Sequence, residues 1–181
     1  MDAPCIWITG LPSSGKTTIA RHLSTILEEE EIDHEVLDGD EVRRNLSRGA
    51  GFTKQDRCDH ARRVAYVARL LTRHAIPTIV CLISPYDEAR REAREIIGEN
   101  FVLVYLDADA NTCMNRDPKG LWAKAIAGEI KNFTGYSDPY EKPTWADMVI
   151  STERDTPEEA ALCIYSKLME YLEEVAPRIE A

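Results

Sequence analysis

The chain has 181 residues, enough for one domain with a single substantial core and too few to suggest a second. Its 22 Lys and Arg against 32 Asp and Glu leave a formal charge of -10, which argues against a general nucleic-acid binder and means that any anionic ligand must meet a local basic pocket. Five cysteines (Cys5, Cys58, Cys81, Cys113, Cys163), odd in number and without C-x-x-C spacing, argue against zinc and a disulfide framework and read as reduced structural thiols.

The first ten residues, MDAPCIWITG, lack a basic segment followed by a long apolar stretch, and no later window approaches the ~20 apolar residues of a membrane span. The expectation is a soluble cytoplasmic protein without a membrane partner. CIWIT (5–9) reads as a buried strand. Directly after it, Gly10-Leu11-Pro12-Ser13-Ser14-Gly15-Lys16-Thr17 matches G-x-x-x-x-G-K-[ST], with Thr18 next and a helical pattern (Ile19, Leu23, Ile26, Leu27) following. Strand, motif and helix in that order are the context a phosphate loop requires. Glycines let backbone amides curl around phosphates, the helix points its positive end at them, Lys16 adds a mobile cation, and Thr17 can ligate magnesium. Pro12 removes one amide donor.

HEVLD (34–38) reads as the second strand and ends in Leu37-Asp38-Gly39-Asp40. At the carboxyl edge of a doubly wound sheet, Asp40 could orient or deprotonate an acceptor hydroxyl and Asp38 could support a magnesium shell. One of the two is equally suited to cap the helix that begins near Glu41-Val42-Arg43. Residues 41–63 carry seven basic side chains (Arg43, Arg44, Arg48, Lys54, Arg57, Arg62, Arg63) against three acidic ones, the local basic pocket that the overall charge demands. The turn-rich stretch 45–55 precedes Thr53 and Asp56, whose capping-box spacing predicts a helix from about Lys54 with Arg57 and His60 on one face. Phe52 either stacks on a base or plugs the core. Val64, Ala68 and Leu71 continue the helix.

PTIVCLI (77–83) is a further apolar strand, and Ser84-Pro85 follows it as a nucleophile, a clamp or a turn. No His or Lys lies near Ser84 in sequence to activate it, and the nearby acid is Asp87. Ala89, Ala93 and Ile97 mark a helix, FVLVYLD (101–107) and MVIS (148–151) two more strands, and Ala161, Tyr165, Leu168 and Leu172 a last helix whose Glu170, Glu173 and Glu174 form a solvated face. The stretch 117–145, with Gly and Pro but few apolar runs, is a long connection of the functional kind. Strands apolar nearly throughout, alternating with helices, predict an α/β fold of three layers around a parallel sheet, in one domain.

The segments GLPSSGKTT, LDGDEVRRNL, GFTKQDR, ISPY, RDPKGLW and GEIKNFTGYSDPYE, in this order between residues 5 and 150, resemble adenylylsulfate kinases. The resemblance implies a P-loop nucleoside-triphosphate kinase fold with five parallel strands and a lid over 117–145. It implies transfer of the ATP γ-phosphoryl group, with magnesium, to the 3′-hydroxyl of adenosine 5′-phosphosulfate, and a possible homodimer. It places Arg43, Arg57, Ile83 and Ser84 around the phosphosulfate nucleotide, Phe52 and Phe133 on either side of its adenine, and Lys131 and Thr134 at the pocket's end. Asp40 would lie near the 3′-hydroxyl, and the segment from Arg116 to Gly120 would close on the ATP side. The serine matching Ser84 has been assigned as a phosphoserine intermediate in some members; direct in-line transfer with Ser84 as clamp is the preferred expectation. His60 stands where Asn is common and Asp87 where Arg or Lys is usual, so a kinase for another nucleotide or a sugar remains the alternative, with a non-catalytic nucleotide-binding module as the second.

Overall fold

The computed structural model describes residues 2–175, the side chains of residues 173–175 excepted. Twelve elements follow in chain order: β1 (Cys5–Thr9), α1 (Lys16–Glu29), β2 (Glu35–Asp38), α2 (Gly39–Leu46), α3 (Lys54–Arg73), β3 (Thr78–Cys81), α4 (Asp87–Ile97), β4 (Phe101–Asp107), α5 (Ala110–Arg116), α6 (Leu121–Ile126), β5 (Met148–Ser151) and α7 (Pro157–Val175). The five strands form one parallel sheet in the order β2-β3-β1-β4-β5.

Alternation along each strand divides the interior into two layers. Cys5 and Trp7 of β1 join Val80, Phe101 and Leu103 on the face covered by α3 and α4. Ile6 and Ile8 join Ile79, Val102, Val104 and Ile150 on the face covered by α1 and α7. With both faces covered, the central strands β3, β1 and β4 are buried nearly throughout and read as continuous apolar runs, while the edge strands keep exposed positions at Glu35 and Val149. Four cysteines serve this packing as buried free thiols, while Cys163 is exposed.

The order places β1 beside β3, yet β1 leads into α1 on one face and β3 leads into α4 on the other. Their chains diverge at the carboxyl edge and open the crevice where α/β sheets bind ligands. The same edge receives Gly10, Asp38, Ser84 and Asp107.

Two features differ from what the sequence predicts. The connection 117–145 is not irregular throughout: α6 lies within it, and Trp122 packs with Cys113, Ala125 and Phe133 into a third small core. α5 was not foreseen, because seven residues give too short a run for a periodic pattern. Glu170 is exposed as expected, but the side chains of Glu173 and Glu174 lie outside the described residues. No helix among the described residues is long and apolar enough to cross a membrane.

Candidate active site

The phosphate loop leaves β1 at Gly10 with no room for a side chain: a Cβ there would stand 2.9 Å from the Leu106 carbonyl oxygen. Lys16 opens α1 and turns back over the loop, donating to the carbonyls of Gly10 (2.9 Å) and Leu11 (2.7 Å) and reaching Ser14 Oγ at 3.3 Å. Burial pushes its ammonium down to about 8, the state of a cation that has lost water and gained only neutral acceptors. Pro12, which has no amide, contributes its carbonyl instead, accepting from Trp122 Nε1 at 3.2 Å. Leu11 and Ser13 are partly exposed at the loop's rim, Ser14 is buried beneath it, and Thr18 is exposed on α1.

Thr17 Oγ1 donates to Asp38 Oδ2 at 2.9 Å, so the first turn of α1 is tied to the end of β2. The other oxygen of Asp38 accepts from the Asp40 amide at 3.0 Å and caps α2, which settles the division of labour between the two aspartates. Asp40 is thereby left exposed, its carboxylate paired with Lys119 of the segment before α6. Two hard oxygen ligands beside a phosphate loop suit magnesium, which takes one or two protein oxygens and completes its shell from phosphate and water. Among the described residues no cluster of three or more His, Cys, Asp or Glu suits a metal otherwise.

The basic stretch resolves into two roles. Arg62 pairs with Asp59 and Glu92, and Lys54 with Glu88, so these cations are spent on neighbouring helices. Arg43 and Arg57 instead flank Phe52, with guanidinium carbons 4.3 and 5.5 Å from its ring centroid. Phe52 is 51% exposed, so it is no core plug. Burial and then the charge of Arg57 lower the pKa of Arg43, as expected for like charges gathered at one place. Arg57 also donates to the Asn132 carbonyl at 2.6 Å and lies 3.8 Å from Asp138, joining α3 to the segment that carries Lys131, Phe133 and Thr134.

Lys131 is exposed, whereas Thr134 is buried with its hydroxyl unpartnered among the described residues. Phe133 is buried, its ring edge-on to Trp122 at 5.0 Å, so it stands in the small core around Trp122 rather than open opposite Phe52. Gly135 explains the tight seat: its φ is +90°, and a Cβ would meet Leu11 at 2.7 Å. Arg116 is engaged with Thr152 Oγ1 at 3.0 Å, at the end of β5. His60 faces away from Arg57: it is buried, its Nδ1 lies 2.8 Å from Ser47 Oγ, and its charged neighbours are Arg43 and Arg63.

Ser84 sits at the crevice in the left-handed region (φ 36°), beside the partly exposed Ile83. Its hydroxyl accepts from Trp7 Nε1 (3.1 Å) and donates to Thr9 Oγ1 (3.1 Å); Thr9 in turn donates to the Ile83 carbonyl at 2.6 Å and meets Tyr140 OH at 3.0 Å. No carboxylate or imidazole among the described residues bonds Ser84 Oγ. Asp87 points away from Arg57: it accepts from Trp145 Nε1 and Arg91 at 2.6 Å each and from Arg90 at 3.3 Å. Burial raises its pKa, but those donors and charges outweigh it and hold the carboxyl below the usual range. Trp7 and Thr9 carry no local functional signal because they read as core residues of a buried strand, Arg90 because it is one more charge in a charged helix, and Tyr140 because a loop tyrosine shows its partners only in the fold.

A parallel sheet with this strand order, a phosphate loop and an acidic pair at its carboxyl edge define a P-loop kinase of the small-molecule class. The adenylylsulphate kinase family pattern matches residues 2–151. Adenylyl-sulfate kinase from Halothermothrix orenii is 52% identical over 169 residues, covering 93% of this chain and 89% of the relative. The structure of the Mycobacterium tuberculosis APS kinase in complex with AMPPNP and APS superposes with a TM-score of 0.88 at 38% identity, covering 93% of this chain and 98% of that one. The chain belongs to the adenylylsulphate kinase family. Shikimate kinase from Acinetobacter baumannii, solved with shikimate, shares the fold alone, at 20% identity and a TM-score of 0.60 over 93% of this chain and 94% of that one.

Proposed function

We propose that the protein transfers the γ-phosphoryl group of ATP to the 3′-hydroxyl of adenosine 5′-phosphosulfate, giving ADP and 3′-phosphoadenosine 5′-phosphosulfate, by direct in-line displacement. The observation that carries the reading is one continuous edge. The phosphate loop, Thr17, Asp38, Asp40 and Lys119 form a connected series, and the Arg43–Phe52–Arg57 group adjoins it with two cations around an exposed ring. Two crowded guanidiniums beside an aromatic face suit an anionic nucleotide.

In this scheme residues 10–17 with Thr18 cradle the ATP phosphates, and Lys16 moves from loop carbonyls to phosphate oxygens, where its charge is compensated. Thr17 and Asp38 would hold magnesium, which would supply positive charge against the phosphates of the bound nucleotide. Asp40 accepts the proton of the attacking hydroxyl or orients it, and Lys119 keeps the carboxylate turned toward the closing segment. Arg43, Arg57, Lys131 and the Ile83–Ser84 backbone bind the phosphosulfate end. Phe52 offers an open face for the adenine, Phe133 supports it from the lid core, and Thr134 presents its free hydroxyl. His60 holds the floor through Ser47. Arg116 lies beside the β5 end on the ATP side.

Ser84 serves as a clamp. Its hydroxyl proton is directed at Thr9, so the phosphoserine route has no base to begin it. An acceptor panel tests the assignment: adenosine 5′-phosphosulfate is to drive ADP release, while AMP, gluconate and shikimate leave it at the background rate. Release driven equally by a sugar acceptor would move the assignment to the other kinases that share this fold. The homodimer implied by the resemblance belongs to the same proposal, and light scattering after size exclusion is to read twice the mass of one chain.

A further inference from the structure

The side chain of Arg90 is fully buried, although its element α4 lies behind the candidate site rather than within it. Enclosing a guanidinium is costly unless its surroundings answer each N–H, and a purely structural post at this place is served at least as well by an apolar residue. What answers Arg90 is informative. One terminal nitrogen donates to the Ser84 carbonyl at 2.6 Å; the other donates to the Glu141 carbonyl at 2.5 Å and to Asp87 Oδ1 at 3.3 Å. Its Cζ lies over Tyr140, 5.6 Å from the ring centroid, while Nε has no partner among the described residues.

The two carbonyls belong to the two walls of the acceptor side. One wall is the turn after β3, where Ser84 adopts a left-handed conformation that a non-glycine residue holds only when its surroundings over-determine it. The other is the 138–141 segment, whose Asp138 accepts from Tyr86 OH at 2.7 Å and lies beside Arg57. The walls are stitched further by the Glu141 amide on the Pro85 carbonyl (2.8 Å) and the Asp87 amide on Glu141 Oε2 (2.6 Å). Capturing the Ser84 carbonyl fixes the peptide plane of the turn. The peptide so fixed is Ser84–Pro85, which has no N–H; the Ser84 amide belongs to the Ile83–Ser84 peptide before it, meets no acceptor among the described residues, and is held in place by the fixed turn.

We propose that Arg90 is a positioning residue for the acceptor: acting through the Ile83–Ser84 turn, and tethered by Asp87, it presents that turn to the anionic end of the nucleotide. The inference rests on the acceptor assigned above. It also gives the acidic Asp87, where a basic residue is usual, a role in this chain as the counter-ion of a buried cation.

The test compares Arg90→Met, Arg90→Lys and a control of matched melting temperature on the opposite face, Ile164→Ala, using the full-length chain. Losing a hydrogen bond from a buried charged group corresponds to a ~10-fold or greater rise in KM for adenosine 5′-phosphosulfate. Arg90→Met is to show that rise, while the dissociation constant for ATP, measured calorimetrically without acceptor, stays within about twofold, a split that a general loss of stability does not produce. Arg90→Lys, which keeps the charge but not the fork, is to fall between wild type and Arg90→Met. Ile164→Ala is to lose stability and keep both constants. If Arg90→Met does not accumulate as folded protein, Asp87→Asn, which slackens the tether together with the bonds from Arg91 and Trp145, carries the test through the same split between acceptor and ATP, with an expected ~3-fold rise in the same KM. Unaltered acceptor KM in these variants, or equal losses for ATP and acceptor, overturns the role of Arg90 while wild-type activity stands. A wild type that does not phosphorylate this acceptor overturns the assigned reaction, and the inference with it.

Discussion

His60 offers a quantitative test of the site's electrostatics. It is 5% exposed, its Nδ1 is engaged with Ser47, and Arg43 and Arg63 bear on it from α2 and α3. Burial first, and then those two charges, lower its pKa from 6.5 to about 4. The folded value lies below the unfolded one, so on acidification the unfolded chain takes up a proton that the folded chain refuses. Stability from the neutral imidazole is therefore complete above 6.5, falls as the pH drops toward 4, and is fully lost below it. A difference of roughly 2.5 pH units at 1.36 kcal/mol each amounts to about 3 kcal/mol. The perturbation is His60→Asn, which keeps a hydrogen-bonding group opposite Ser47 but cannot titrate. Urea unfolding of both proteins between pH 7.5 and 4 supplies the assay, and taking the difference cancels the carboxylates they share. The wild type is to lose about 3 kcal/mol more than His60→Asn across that range. Parallel stability curves for the two proteins would refute the reasoning.

Three further outcomes follow from the same geometry. Lys16→Ala removes the loop's cation and is to lower kcat at least ~100-fold with the fold retained, since Lys16 bonds only loop acceptors; circular dichroism with initial rates checks both. Ser84→Ala is to keep activity within about tenfold of wild type while Asp40→Asn loses ~100-fold or more, because Asp40 is the candidate base and Ser84 Oγ has none beside it. A Ser84→Ala enzyme as inactive as Lys16→Ala would reinstate the phosphoserine route. Thr17→Val deletes both the proposed metal ligand and the bond to Asp38, so the magnesium concentration for half-maximal rate is to rise about tenfold, read by titration at saturating ATP.

The central strands were legible because each is a nearly unbroken apolar run between turn residues, and Thr53 with Asp56 marked a start of α3 near Lys54, where it lies. The phosphate loop was legible because it binds with backbone and helix terminus, which only a fixed local pattern provides. Other parts depended on tertiary placement. Phe52 and Phe133 look alike as loop aromatics, yet one lies open between two arginines and the other is sealed beside Trp122. The seven basic residues read as one patch, but pairing with Glu88, Asp59 and Glu92 withdraws Lys54 and Arg62 from it. Arg90 reads as one more charge in an acidic and basic helix, and nothing in its spacing reveals that it faces inward to two carbonyls.

The central claim is the transfer of a phosphoryl group to one particular hydroxyl. Incubating the protein with ATP, magnesium and adenosine 5′-phosphosulfate, then resolving the nucleotides by chromatography and 31P NMR, tests it most directly. ADP and a product with a new 3′-phosphomonoester on an intact 5′-phosphosulfate are expected in equal amounts. ADP without that product, or a phosphate on any other position, would contradict it.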